Sequence, residues 1–284
     1  MKTIRLPQGE TLPSIGLGTW RMGESAGSRG AEVAAIRLAV EIGYRVFDTA
    51  EMYGEGGAEQ VLGLALNEAI RAHAVRREEL FIVSKVYPHN ASRAGAVAAC
   101  ERSLKRLALD HVDLYLLHWP GPHPLSETVA AFDALASAGR IRHWGVSNFD
   151  LEAMQALVAT PGGERCASNQ VYYSLGERGP EFDLLPWQRA RAMPVMAYSP
   201  VDQGALARDK DLGRLAERLG GTASQLALAR LMAEPGVMVI PKAVHETHLR
   251  ENFAAAELRL SPADMGEIDR LFPPPQRRSP LAMR

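Results

Sequence analysis

The sequence has little cysteine, almost no net charge and no long run of apolar residues. Its 284 residues contain two cysteines, Cys100 and Cys166, which lie far apart in the chain. This usage is typical of reduced thiols in a cytosolic protein rather than of a disulfide framework. We therefore expect two free thiols and a cytoplasmic location.

The charge balance and the lack of apolar runs argue against two classes of partner. The 32 Lys and Arg residues and 33 Asp and Glu residues give a formal net charge of -1, which offers no attraction to nucleic acid or to an anionic membrane. No stretch reaches the ~18 apolar residues of a transmembrane helix, and residues 1–7 lack the apolar core of a signal peptide. We expect no nucleic-acid partner and no membrane association.

The chain does contain a repeated alternation of short apolar runs with segments of helical periodicity. The apolar runs predict eight buried strands, at 15–20, 45–48, 80–85, 112–118, 141–147, 167–173, 195–198 and 237–240. Helical segments with short connections lie between them. A single α/β domain over residues 1–284 is therefore expected, a (β/α)8 TIM barrel with an N-terminal β-hairpin and extra C-terminal helices.

The absence of one glycine argues against the main alternative fold. An open doubly wound sheet that binds a dinucleotide would need a glycine-rich phosphate fingerprint early in the chain. Gly16 and Gly18 supply two glycines of that pattern, but the third does not follow. The pattern therefore favours the barrel.

Polar or aromatic side chains stand at or just beyond the ends of the strands after the first. The carboxyl ends of parallel barrel strands meet at one rim, and this rim carries the active site. We therefore expect one site to be formed by Asp48, Lys85, His118, Ser147, Asn148, Gln170, Tyr198 and Lys242.

Charge and hydrogen bonding suggest roles for Asp48, Lys85 and His118. Lys85 follows a buried strand and needs a partner for its charge, and Asp48 can supply it. The ammonium group of Lys85 would lower the pKa of Tyr53 from about 10 and make this phenol a usable proton donor. His118 could hydrogen-bond and orient a substrate oxygen.

The remaining strand ends suit a nicotinamide. Ser147, Asn148 and Gln170 offer groups that bind a carboxamide, and Tyr198 offers a flat face for stacking. An acid beside such a site indicates hydride transfer from a nicotinamide to a carbonyl.

Several motifs, in the same order along the chain, resemble those of the aldo-keto reductase family. They are GYRVFDTA at 43–50 followed by Tyr53 and Gly54, DLYLLHWP at 113–120, WGVSNF at 144–149, NQVYY at 169–173 and IPK at 240–242. The likeness extends over essentially the whole chain. It is greatest for short bacterial members of the methylglyoxal-reductase type.

The resemblance implies an NADPH-dependent enzyme that reduces small aldehydes and ketones to alcohols, 2-oxoaldehydes such as methylglyoxal among them. It implies the catalytic residues Asp48, Tyr53, Lys85 and His118, with Tyr53 as proton donor, and no metal. The expected coenzyme contacts are Gly18, Thr19, Trp20, Asp48, Ser147, Asn148, Gln170, Tyr198, Ser199, Pro200, Val201, Gln203, Ile240, Lys242, His248, Glu251 and Asn252. The expected substrate contacts are Trp20, Tyr53, Tyr87, His118 and Trp119.

Two positions depart from the family pattern. His248 stands where the family commonly has an arginine on the 2'-phosphate, and Ala243 where it has a serine or threonine. A neutral imidazole binds phosphate less well than a guanidinium fork, so we expect NADPH as the coenzyme and consider NADH possible. Asp202 would also place a negative charge near the diphosphate unless it points away.

Other functions remain open at this point. A protein of this fold can act as a coenzyme-binding regulatory module with little turnover. Asp48 and His118 could instead serve metal-assisted hydrolysis, and His245 and His248 form a conceivable metal pair, although no third ligand is evident nearby. We expect a monomeric enzyme whose partner is a small-molecule carbonyl substrate.

Overall fold

The computed structural model describes all 284 residues of the chain, as ten strands and ten α-helices. The strands are β1 (Thr3–Arg5), β2 (Thr11–Pro13), β3 (Leu17–Gly18), β4 (Val46–Asp48), β5 (Phe81–Val86), β6 (Val112–Leu117), β7 (Ile141–Ser147), β8 (Asn169–Tyr172), β9 (Val195–Tyr198) and β10 (Val237–Val239). The helices are α1 (Arg29–Ile42), α2 (Gly57–Arg71), α3 (Arg93–Leu107), α4 (Leu125–Ser137), α5 (Leu151–Ala159), α6 (Leu184–Arg189), α7 (Lys210–Arg218), α8 (Ala223–Leu231), α9 (Glu246–Ala254) and α10 (Pro262–Leu271).

Strands β3 to β10 form one parallel sheet in which each strand pairs with the next along the chain. A parallel bridge between Ile15, just before β3, and Val239 of β10 joins the two ends of this sheet. Gly18 lies beside this seam, where a Cβ atom would come within 2.9 Å of the Ile240 carbonyl oxygen. The predicted (β/α)8 barrel is confirmed.

The predicted N-terminal hairpin is confirmed as the antiparallel pair β1–β2. Its apolar residues Ile4, Leu6 and Leu12 pack with residues that begin the barrel strands, such as Val46 and Phe81, in one buried cluster. The hairpin therefore closes the amino-terminal end of the barrel. At the other end of the chain, α10 is the extra helix after the last repeat, and α7 is an additional helix between β9 and β10.

Alternation along β5 decides which side chains enter the barrel. All six residues of this strand are buried, but Phe81 and Val83 belong to the interior cluster, whereas Ile82 and Val86 pack against the surrounding helices. Because successive side chains of a strand point to opposite faces, Lys85 projects into the barrel and Ser84 projects outward.

No helix in the structure combines the length and the apolar character that crossing a membrane requires.

Candidate active site

A buried ion pair lies at the carboxyl end of the barrel. The Lys85 ammonium is 2.7 Å from Asp48 Oδ2 and also donates to the Thr49 carbonyl oxygen at 2.8 Å. Burial lowers the pKa of Lys85, and the neighbouring Asp48 carboxylate opposes this shift. Pairing therefore offsets the cost of placing a full charge in the interior.

The hydroxyl of Tyr53 lies 3.2 Å from Lys85 Nζ, at the start of the 3₁₀ turn that follows β4. The pKa of Tyr53 is well above its ordinary value, because the phenol is buried and because Asp48 is close. The expectation of a lowered pKa is therefore wrong in direction. A phenol with a raised pKa stays protonated at neutral pH, and the adjacent ammonium stabilises the phenolate when the proton is transferred.

His118 follows β6 and faces Tyr53, with ring centroids 5.7 Å apart and the rings edge to face. Burial and the Lys85 charge hold the pKa of this imidazole well below its usual range. At neutral pH the ring is therefore uncharged, so that one nitrogen donates and the other accepts a hydrogen bond. Its Nδ1 atom is buried and has no partner within the protein.

The amide side chains at the ends of β7 and β8 are tied to the ion pair and to the neighbouring rings. Gln170 Nε2 donates to Asp48 Oδ1 at 2.7 Å, and Ser147 Oγ donates to the Gln170 carbonyl oxygen at 2.8 Å. Asn148 donates to the His118 carbonyl oxygen at 3.0 Å and accepts a bond from the Tyr198 hydroxyl at 2.9 Å.

A cavity of about 740 Å³ opens at this rim. Of the predicted catalytic, coenzyme and substrate residues, all but three line it. The lining residues among them are Gly18, Trp20, Asp48, Tyr53, His118, Trp119, Ser147, Asn148, Gln170, Tyr198, Ser199, Pro200, Val201, Gln203, Ile240, Lys242, His248, Glu251 and Asn252. The motifs of the sequence therefore meet at one site.

Three predicted residues lie outside the cavity wall. Lys85 is fully buried beneath the cavity wall, and its ammonium contacts Asp48 and Tyr53. Thr19 is also buried, and its hydroxyl donates to the Asp48 carbonyl oxygen at 3.0 Å, so it supports the strand end. Tyr87 packs edge-on against Trp119 with ring centroids 5.4 Å apart, and it therefore supports the wall from outside.

Eight residues of the cavity wall were not among the contacts predicted from the sequence. Two of them, Arg21 and Met52, adjoin Trp20 and Tyr53, so position beside a motif residue was a usable signal. The tail residues Met283 and Arg284 reach the cavity from far along the chain, which no local pattern indicates. The full set is Arg21, Met52, Gly204, Ala207, Ser224, Pro241, Met283 and Arg284.

The charge of Asp202 is turned away from the cavity. Its carboxylate accepts a hydrogen bond from the Tyr172 hydroxyl and lies 3.4 Å from an Arg284 guanidinium nitrogen. The backbone amide of Arg284 also bonds to the Tyr198 hydroxyl at 3.2 Å. The concern that Asp202 would repel a diphosphate is therefore removed by this pairing.

Comparison with known proteins identifies the class of protein that this fold and site define. Residues 14–272 match the Aldo/keto reductase family. The chain therefore belongs to this family and is an oxidoreductase.

The relatives of the chain agree with this assignment. It is 46% identical to the methylglyoxal reductase YeaE of Escherichia coli strain K12, with 99% of each chain covered. It is 34% identical to a glyoxal reductase of Bacillus subtilis strain 168, over 95% of this chain and 92% of that protein. A crystal structure of an aldo-keto reductase from Klebsiella pneumoniae in complex with NADPH matches with a TM-score of 0.94 at 48% identity, and covers 100% of this chain and 99% of that one.

Proposed function

We propose that the protein reduces small carbonyl compounds, with 2-oxoaldehydes such as methylglyoxal as the substrate class, and that NADPH is the reductant. The observation that carries this proposal is the contact between the Tyr53 hydroxyl and the Lys85–Asp48 pair at the floor of the cavity. The names of the relatives and the NADPH complex of the Klebsiella pneumoniae protein support it.

The residues of the cavity fit a nicotinamide coenzyme. Asn148 offers hydrogen-bonding groups for the carboxamide, and the Tyr198 ring stacks 5.8 Å from that of Tyr172 at an angle of 25°, which leaves a flat aromatic surface at the wall. The side chains of Lys242 and His248 lie in the same wall and can hold phosphate. When bound, the coenzyme supplies a hydride to the carbonyl carbon.

The protein's own residues supply the proton and the orientation. Tyr53 is the proton donor, because its hydroxyl is the phenol beside a buried ammonium, and a developing alkoxide is a much stronger base than a phenolate. Neutral His118 donates a hydrogen bond to the carbonyl oxygen and holds it near Tyr53. Asp48 keeps Lys85 in place and charged.

The wall around Tyr53 favours small substrates with an apolar part. Trp20, Met52, Trp119 and Met283 are apolar residues of the same cavity wall as Tyr53. The loop between β6 and α4, residues 118–124, is short, which favours small substrates.

A panel of carbonyl compounds tests the proposal. With NADPH, methylglyoxal and phenylglyoxal are expected to be reduced with higher kcat/KM than a steroid ketone, because the coenzyme occupies most of the cavity and its remaining wall includes Trp20, Trp119 and His118. The measurement is coenzyme oxidation under saturating NADPH. If the protein binds NADPH but no carbonyl compound of the panel leads to its oxidation, the result would instead support a coenzyme-binding module with little turnover.

The coenzyme preference is expected to depend on His248. Substitution His248→Arg should raise the preference for NADPH over NADH by about tenfold, because a guanidinium makes stronger charge-assisted bonds to a 2'-phosphate than an imidazole does. The measurement is kcat/KM for each coenzyme at a fixed carbonyl concentration.

Arg250 provides the control for this prediction. Its guanidinium pairs with Glu246 at 2.8 Å and lies outside the cavity wall, so Arg250→Met should leave the ratio unchanged. An unchanged ratio in His248→Arg would show that the phosphate is bound elsewhere.

A further inference from the structure

A second buried carboxylate lies on the outer side of the strand that carries Lys85. Glu59, in the first turn of α2, is fully buried. One of its oxygens accepts a bond from Ser84 Oγ at 2.6 Å, and the other accepts from Arg106 Nε on α3 at 2.6 Å. The Arg106 guanidinium also donates to Ser103 Oγ at 3.2 Å.

This Glu59–Ser84–Arg106 cluster stands directly behind the catalytic ion pair. Ser84 and Lys85 are neighbours on β5 and point to opposite faces, so only the thickness of one strand separates the cluster from the ammonium, a distance of roughly 10 Å. No bulk water lies between them, because both residues of the strand are fully buried. Charges at this separation inside a protein still interact appreciably.

The charged and titratable groups around Lys85 lie on both faces of the sheet. Inside the barrel these are Asp48 on β4, His118 after β6 and Tyr198 on β9, with Tyr53 in the turn after β4. Outside the barrel they are Glu59 on α2 with Arg106 on α3, and Glu51 after β4 with Arg102 on α3. Each outer pair thus contributes one charge of each sign.

We propose that Glu59 and Arg106 are positioning residues that set the charge state of Lys85 from outside the barrel, Glu59 favouring the ammonium form and Arg106 opposing it. This inference rests on the proposed function, in which the charged form of Lys85 supports proton donation by Tyr53. The direction of the Lys85 pKa agrees: burial lowers it, and the Asp48 and Glu59 charges both counteract the burial. Neither outer residue lines the cavity.

The test is the pH dependence of kcat/KM for NADPH-dependent carbonyl reduction. The activity needs the ammonium, which is present below the pKa of Lys85 and lost as the pH rises through it. Glu59→Gln keeps an acceptor for Ser84 but removes the negative charge, so the basic limb of the profile should move to lower pH by about 0.5–1 pH unit. Arg106→Gln removes the positive charge, so the basic limb should move to higher pH by a similar amount.

Two controls separate this effect from a loss of packing. Ser84→Ala breaks the hydrogen bond to Glu59 without changing any charge, and Glu59→Gln/Arg106→Gln removes both charges together. Both variants should leave the basic limb where it is in the wild type. Thermal unfolding is measured alongside. If Glu59→Gln does not fold, Arg106→Gln and the double variant still carry the comparison.

Opposite displacements of the basic limb support the inference. Displacement in the same direction in both single variants, or no displacement together with a lower Tm, would overturn it and leave a purely structural ion pair. Tyr53→Phe separates this result from the proposed function: full activity in that variant would refute the catalytic assignment itself, whatever the outer pair does.

Discussion

Replacement of Tyr53 by phenylalanine is expected to lower kcat for carbonyl reduction by about 10²–10⁴-fold. The substitution removes one hydroxyl, which lies 3.2 Å from Lys85 Nζ and is the closest phenol to the buried cation. The ring remains to pack against His118. The measurement is steady-state NADPH oxidation with methylglyoxal, together with the dissociation constant for NADPH.

The control for this prediction is the binding of the coenzyme. Because the Tyr53 hydroxyl bonds to Lys85 and to no coenzyme-binding amide, NADPH affinity should stay at the wild-type value. Tyr173→Phe is a matched variant, since it removes a hydroxyl that bonds to Glu181 and lies outside the cavity wall. A Tyr53→Phe enzyme that retains turnover would exclude this phenol as the proton donor.

Lys85→Met is expected to abolish reduction and also to destabilise the fold. The side chain is fully buried, and its loss leaves the Asp48 carboxylate without a cation inside the barrel. Breaking a buried pair from one side typically costs about 3–5 kcal/mol of unfolding free energy, which corresponds to a fall in Tm of roughly 6–20 °C for a protein of this size. The measurements are kcat and thermal unfolding.

The double variant Asp48→Asn/Lys85→Met distinguishes the two effects. It removes both charges, so that no unpaired ion remains, and the amide introduced in place of the Asp48 carboxylate can still accept a bond from Gln170. Most of the lost Tm should return in this variant, whereas the activity should not. A double variant that regained turnover would contradict the role of the ammonium beside Tyr53.

The parts of the molecule that the sequence predicted well are those encoded by local pattern. Each barrel strand is a short apolar run that ends in a residue of distinct chemistry, and parallel strands bring such ends to one rim. Asp48, His118 and Gln170 could be placed in this way, because each stands at or near the end of a predicted strand. The barrel and its hairpin follow from the same repetition.

The properties that the sequence could not give depend on packing between distant segments. The predicted direction of the Tyr53 pKa shift was wrong because burial and the nearby Asp48 carboxylate both raise this pKa, and burial is a property of the assembled site. Tyr87 packs against Trp119 and does not line the cavity. Its position near a strand end could not show this. Asp202 found partners in Tyr172 and Arg284, residues that are remote from it along the chain.

The hairpin over the amino-terminal end has a practical consequence for handling this enzyme. Because Ile4, Leu6 and Leu12 cover that end of the barrel, substrate and product enter and leave through the cavity at the opposite rim. An affinity tag fused before residue 1 would lie on the side of the barrel opposite this cavity. A tag fused after Arg284 would begin beside Tyr198 and hinder the binding and release of ligands.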